Sequence, residues 1–214
     1  MKKKFYLFIV VSIVVLLCVY SSLADGEITF NNVPWLSNEE TTLKVLYDNG
    51  LIREGFSVPV FSGESGYYII KENNLGYCPT KNDAYKEVNY SISLAGKTKS
   101  KIGGSSVKDV LLTFANDRID SKLICVKVVL DGESFEGISN KLKTVYGIGV
   151  DTKIEDEFET VIWTGENNSA VILFTENGGF TYDLVYGRLD SEQILKDAKD
   201  AIAVLADPDD ASGL

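Results

Sequence analysis

Apolar and polar residues alternate with a period of two in two adjacent segments near the middle of the chain. The apolar positions are Val110, Leu112 and Phe114 in the first segment and Ile124, Val126, Val128 and Leu130 in the second. A period of two is expected of a strand with one buried face. The residues between the segments include Asn116, Asp117, Arg118, Asp120 and Ser121, which are typical of a turn, so the pattern predicts an antiparallel hairpin.

The period becomes helical after this hairpin. Ile138, Leu142 and Val145 lie at i, i+4 and i+7, and Gly147 follows where helices commonly end. The pattern predicts a short amphipathic helix that covers the hairpin with these three side chains and ends at Gly147.

Two further helices are predicted, one near each end of the chain. Ser37 followed by Glu40 is a capping box, which predicts a helix that starts at Ser37 and stops at residues 48–50. Asp190 followed by Gln193 is a variant of this box ahead of a closing helix. Its apolar stripe leads to a polar tail at residues 207–214.

Alternation predicts several more strands, separated by polar turns. They cover residues 56–60, 67–70, 88–95, 160–164, 170–175 and 180–186. Segments 71–86, 96–106 and 148–159 lack a clear pattern. We interpret the first as a loop, the second as a connector and the third as a solvated acidic segment that leads to the next strand. Strands in runs with helices between the runs predict an α+β fold, with antiparallel sheet and about three helices packed on one face.

The first 24 residues carry the pattern of a secretory signal. Lys2–Lys4 are followed by an apolar stretch, and Ser22 and Ala24 place small residues where a signal peptidase reads. The alternatives are an uncleaved membrane anchor and a lipidated Cys18. We therefore expect an extracytoplasmic protein, either secreted or at the cell envelope, or else anchored in the membrane by its N-terminus. Residues 25–206 then form a single α+β domain, with halves 25–95 and 105–206 as an alternative division.

The exported part is strongly acidic. The chain has 21 basic and 31 acidic residues, and three of the basic ones lie in the signal, so the remainder carries 18 − 31 = −13 formal charges. Nucleic acids and anionic membranes attract proteins through Lys and Arg, so this charge argues against both as partners. Membrane contact is expected only through the N-terminal segment, if it is uncleaved.

Two cysteines follow the signal, Cys78 and Cys125. In an oxidising compartment they could form a disulfide, which would stabilise the fold by roughly 4 kcal/mol in the chain-entropy model. Burial of Cys125 as a small apolar residue of its strand is an equal alternative.

The chain contains no histidine. This absence excludes Ser-His-Asp and Cys-His catalysis as well as His-ligated metal centres. An enzyme would have to rely on paired carboxylates, as glycosidases do, or on a Ser-Lys dyad. No spacing selects such a pair, and we assign no catalytic, cofactor-binding or metal-binding residue.

Weaker candidates are better explained by structure than by chemistry. Gly103–Gly104, near Lys97, Lys99 and Lys101, lacks the spacing of a phosphate-binding loop. Trp35, just ahead of a helix, is typical of a hydrophobic anchor. The acidic residues of segment 148–159 do not follow the order of a calcium loop. Exposed tyrosines could grip a sugar or a peptide, and the candidates are Tyr67, Tyr68, Tyr77 and Tyr85.

Three short patterns carry a resemblance. Residues 30–37, Phe-Asn-Asn-Val-Pro-Trp-Leu-Ser, resemble the F-x-x-I-P-W-G-S/T opening of a group of exported bacterial proteins of unknown role. Leu142 to Gly147 matches the L-x-x-x-Y-G helix end of that group, and Trp163-Thr164-Gly165 matches its W-x-G strand. Leu36 departs from the pattern, which has Gly there.

The predicted architecture is also distantly similar to β-lactamase-inhibitor-like proteins and to the small lipoproteins of outer-membrane assembly. Those modules bind proteins and catalyse nothing, and the similarity carries over no functional residue. We therefore expect a binding or interaction module without a cofactor, whose partner is another envelope or extracellular protein. The alternative is a carboxylate-based hydrolase acting on glycans or peptides.

Overall fold

The computed structural model describes residues 26–52, 69–70, 89–98, 100–116, 120–131, 134–154, 158–176 and 181–206. Three helices lie in this part of the chain: α1 (Glu39–Asp48), α2 (Phe135–Tyr146) and α3 (Ser191–Ala206). The strands are β1 (Ile69–Ile70), β2 (Asn89–Ser93), β3 (Lys101–Ile102), β4 (Ser105–Asn116), β5 (Ser121–Asp131), β6 (Val150–Ile154), β7 (Phe158–Thr164), β8 (Ser169–Glu176) and β9 (Thr181–Arg188).

The nine described strands form one sheet in the order β1-β2-β4-β5-β9-β8-β7-β6, with β3 paired to β4. The last four strands are an antiparallel meander, in which Ile162 lies opposite Ile172 and Ile172 opposite Val185. This arrangement confirms the predicted α+β class with antiparallel sheet.

The chain divides into two compact units, and β4 and β5 each contribute to both. Among the described residues the first unit contains 26–29, 100–108 and 127–189, and the second contains 30–99, 109–126 and 190–206. Both have apolar interiors. The largest buried side chain of the first is Trp163, and Phe114, Leu43 and Leu46 are fully buried in the second.

In the first unit, the N-terminal segment is fastened to the turn between β7 and β8. The backbone N–H of Ile28 donates to Ser169 Oγ at 2.8 Å, and the N–H of Glu166 donates to the Gly26 carbonyl at 3.0 Å. Gly165 leaves room for this contact, because a Cβ there would stand 2.8 Å from the Gly26 oxygen. Only glycine fits at this position without a shift of the backbone.

In the second unit, the approach to α1 pairs with the beginning of β5. The Leu36 N–H donates to the Leu123 carbonyl at 3.0 Å, and the Leu123 N–H donates to the Ser37 carbonyl at 2.9 Å. Ser37 is therefore held outside the helix, and the prediction that the helix starts there is wrong by one residue. Asn38 is the N-cap, and its Oδ1 accepts from the Thr41 N–H at 2.9 Å.

The interpretation of two segments as irregular is also wrong. The connector predicted at 96–106 contains β3 and a tight turn into β4, and the acidic segment at 148–159 contains β6. Within the described residues, Ile69 and Ile70 pair with β2. Their predicted partner at 56–60, the loop at 71–86 and the N-terminal signal lie outside the part that the structure describes.

Candidate functional site

Among the described residues, α2 is the only helix of the first unit. Ser134 caps its start, since Oγ accepts from the Gly137 N–H at 3.1 Å. Ile138 and Leu142 are buried, as the sequence predicts. Gly147 ends the helix at φ +80° and donates its N–H to the Lys143 carbonyl at 3.0 Å, which confirms the predicted end.

Val145 does not join the buried stripe, and this prediction is wrong. Its side chain is 70% exposed, and that of Ile148, just beyond the helix, is 79% exposed. The stripe continues from Ile138 through Leu142 to Tyr146, at a constant spacing of four residues, so Tyr146 turns inward and Val145 faces solvent.

Two aromatic pairs dock α2 on β9. At the start of the helix the rings of Phe135 and Tyr182 lie 6.3 Å apart, measured between their centroids. At its end Tyr146 and Tyr186 are hydrogen-bonded through their hydroxyl groups. Pairs at both ends fix the direction of the helix along the strand.

Burial raises the pKa of both tyrosines of the second pair. For Tyr186 the rise is large, and the charge and hydrogen bond of Tyr146 raise its pKa further. The same hydrogen bond lowers the pKa of Tyr146, against the effect of burial. Both hydroxyl groups are therefore protonated at neutral pH.

Strand β7 holds the chain immediately after α2. Trp163 Nε1 donates to the Gly147 carbonyl at 3.0 Å. A Cβ on Gly149 would stand 2.7 Å from Trp163 Cε2 and 2.7 Å from Val161 Cγ1, so the backbone lies directly on these side chains. We call residues 145–149 the α2 terminal segment. It is a fixed piece of backbone that presents Val145 and Ile148 to solvent.

The remaining sequence candidates have structural roles or lie outside the described residues. Gly103 and Gly104, both at positive φ, form the turn between β3 and β4, and Lys141 donates to the Gly103 carbonyl. This turn leads into a strand and has no helix N-terminus with which to hold phosphate. Trp35 is buried, as expected of an anchor.

Cys125 is half-buried on β5 and, like Ile194 and Leu195 of α3, packs against a buried cluster that consists of Ala115, Ile124 and Ala198. Cys78 lies outside the described residues, so the disulfide stays a prediction. The four candidate tyrosines also lie outside the described residues, so their role in binding stays a prediction. Among the described residues no group of three or more Asp, Glu or Cys side chains is placed to hold a metal ion.

No protein-family model, curated protein or solved structure matches the chain. Among the described helices, none combines the length and the apolar character needed to span a membrane.

Proposed function

We propose that the protein is a non-catalytic interaction module that works at the cell envelope or outside the cell and binds another protein there. The observation that supports this is the exposure of Val145 and Ile148, at 70% and 79%, on the α2 terminal segment. The other large apolar side chains described in the first unit are buried or half-buried. Val145 and Ile148 lie three residues apart and are exposed to solvent. Two exposed apolar side chains this close in sequence are typical of an anchor for a binding partner.

The way the segment is held also favours binding. Its backbone is fixed by the Trp163 hydrogen bond and by the close packing of Gly149, and Tyr146 is tied to Tyr186. A preorganised segment loses little conformational freedom when a partner covers it, so more of the apolar burial remains as affinity.

The proposed partner has an apolar pocket that admits two branched aliphatic side chains. Burying a Val or Ile side chain fully is worth about 1.5–3 kcal/mol, so the pair could supply roughly half of a micromolar affinity. The extracytoplasmic location is supported by the signal pattern of residues 1–24.

Site-specific photocrosslinking tests the proposal in cells that export the protein. A photoreactive residue replaces Val145 or, separately, Ile148, and Glu40 on α1 serves as the exposed control position. We expect a crosslinked adduct with one envelope or extracellular protein from positions 145 and 148 and none from position 40. We also expect Val145→Ser combined with Ile148→Ser to abolish recovery of that protein.

A uniform absence of adducts from positions 145 and 148 would contradict this binding role. So would turnover of a glycan or peptide by the purified protein that is lost when one Asp or Glu is neutralised. That result would establish the carboxylate-based hydrolase instead.

A further inference from the structure

Among the strands that the structure describes, β6 is the last at its end of the sheet. It pairs on one side with β7, with Val150 opposite Ile162 and Ile154 opposite Phe158. An edge strand of five residues presents backbone N–H and C=O groups that can pair with another extended chain.

The sequence of β6 is symmetric in chemical character about its middle residue. It reads Val150-Asp151-Thr152-Lys153-Ile154, with apolar residues at both ends and opposite charges on either side of Thr152. An antiparallel pairing of two copies, centred on Thr152, would place Asp151 of each copy opposite Lys153 of the other. The same register would place Val150 opposite Ile154.

We propose that β6 is a self-association edge, at which two copies of this chain pair in antiparallel fashion around a two-fold axis at Thr152. A two-fold axis makes both contacts occur twice, which is the arrangement expected of an isologous dimer. The five-residue pairing forms about four to six backbone hydrogen bonds. The surface it buries is small, so the dimer is weak and depends on protein concentration.

Charged residues on an edge strand often have the opposite purpose, since they discourage pairing with other chains. Such residues discourage pairing when like charges would lie opposite each other on the two strands, or when one charge would be buried without an opposite charge. Here the register that preserves the two-fold axis brings unlike charges together, and opposite charges on paired strands stabilise each other. The proposal concerns residues 150–154 and is independent of the partner bound by the α2 terminal segment.

Sedimentation of the exported, purified protein at about 0.15 M salt tests the charge pattern. We expect a monomer–dimer equilibrium in the unaltered chain. Lys153→Glu places like charges across the axis and should weaken the dimer about tenfold. Adding Asp151→Lys to Lys153→Glu restores opposite charges and should restore the dimer. Lys199→Glu, at an exposed site on α3, makes the same change in net charge and should leave the equilibrium unchanged.

Disulfide trapping tests the register. Residues directly opposite in an antiparallel pair have Cα atoms about 4.5–5.5 Å apart, which suits a disulfide. Only Thr152, which lies on the two-fold axis, is opposite the same residue of the other copy. Thr152→Cys should therefore form a covalent dimer on mild oxidation. Lys153→Cys and the unaltered chain, which keeps Cys78 and Cys125, should not.

Three results would each overturn the proposal. They are a chain that stays monomeric up to millimolar concentration, a dimer unaffected by Lys153→Glu, and trapping that is as efficient at position 153 as at 152. A monomer that still yields crosslinks from positions 145 and 148 would overturn the dimer alone and leave the proposed function standing.

Discussion

The indole Nε1 of Trp163 donates a hydrogen bond to the carbonyl oxygen of Gly147 at 3.0 Å, across 16 residues of chain. This contact joins two of the three short patterns noted in the sequence, because Gly147 closes the L-x-x-x-Y-G pattern and Trp163 opens W-x-G. The end of α2 and strand β7 thus form one local structure, on which the exposure of Val145 and Ile148 depends.

Gly149→Ala tests how tightly this structure is packed. The new Cβ would collide with Trp163 Cε2 and Val161 Cγ1 at 2.7 Å, so we expect a loss of about 1–3 kcal/mol in the free energy of unfolding, measured by urea denaturation. In a Trp163→Phe background the indole part of the collision is gone, so the loss should be smaller. The same loss in both backgrounds would show that the indole does not crowd Gly149.

Leu36 provides a test of backbone strain. It lies at φ +63°, in the left-handed region that disfavours residues with a Cβ. Leu36→Gly removes this strain, and after the entropic cost of glycine we expect a gain of about 0.5–1 kcal/mol in unfolding free energy. Leu36→Ala keeps the strain and removes the 40% exposed side chain, so it should change stability little. If both variants behave alike, the conformation at residue 36 is not the cause.

This conformation gives a physical reason for a Gly at position 36. The opening pattern that residues 30–37 resemble has Gly at this position, which the structure places at positive φ. The sequence showed which residue was unusual, but only the backbone shows that the cost is conformational. Phe30, Val33 and Trp35 of the same pattern are buried, which explains their apolar character.

Periodicity predicted the elements that bury one clear face, and it failed where a neighbouring contact decides the outcome. Leu142 lies three residues before Val145 and four before Tyr146, so either could continue the apolar stripe, and the hydrogen bond to Tyr186 selects Tyr146. Ser37 and Asn38 are both good N-cap residues. Because residues 36–37 pair with Leu123, Asn38 caps the helix instead of Ser37.

Strand β6 was missed although Val150, Thr152 and Ile154 alternate with charged residues. The acidic residues around it dominate the composition of segment 148–159, and five residues give a weak alternation signal. The α2 terminal segment had no sequence signal of its own. Its exposure follows from the inward turn of Tyr146, which depends on a residue 40 positions later in the chain.

Two fully buried serines offer a matched test of hydrogen bonding. Ser169 Oγ accepts from the Ile28 N–H at 2.8 Å and donates to the Glu166 carbonyl at 2.6 Å, whereas Ser105 Oγ has no hydrogen-bond partner among the described residues. Ser169→Ala removes the acceptor of the buried Ile28 N–H and should cost about 1–3 kcal/mol in unfolding free energy. Ser105→Ala removes an unsatisfied hydroxyl and should be neutral or slightly stabilising. Equal losses in thermal or urea unfolding would contradict this contrast.

The tyrosine pair predicts how stability depends on pH. The pKa of Tyr186 is raised in the folded protein, whereas in the unfolded chain it is about 10. As the pH rises past about 10, the unfolded state loses this proton first, so unfolding becomes more favourable. The stability that the group contributes is complete below pH 10 and is lost as the pH rises toward the folded-state pKa.

Tyr186→Phe removes this titration and should flatten the fall in unfolding free energy between pH 9 and pH 11.5, followed by urea denaturation at each pH. At pH 8 the variant should lose about 1 kcal/mol, because the Tyr146 hydroxyl loses this hydrogen bond but, being half-buried, can still meet water. Tyr146→Phe should cost more at pH 8, since the Tyr186 hydroxyl that loses this hydrogen bond is buried. Tyr47→Phe, at a 41% exposed site on α1, should follow the unaltered protein at every pH. A Tyr186→Phe profile as steep as that of the unaltered protein would mean that other groups cause the alkaline loss of stability.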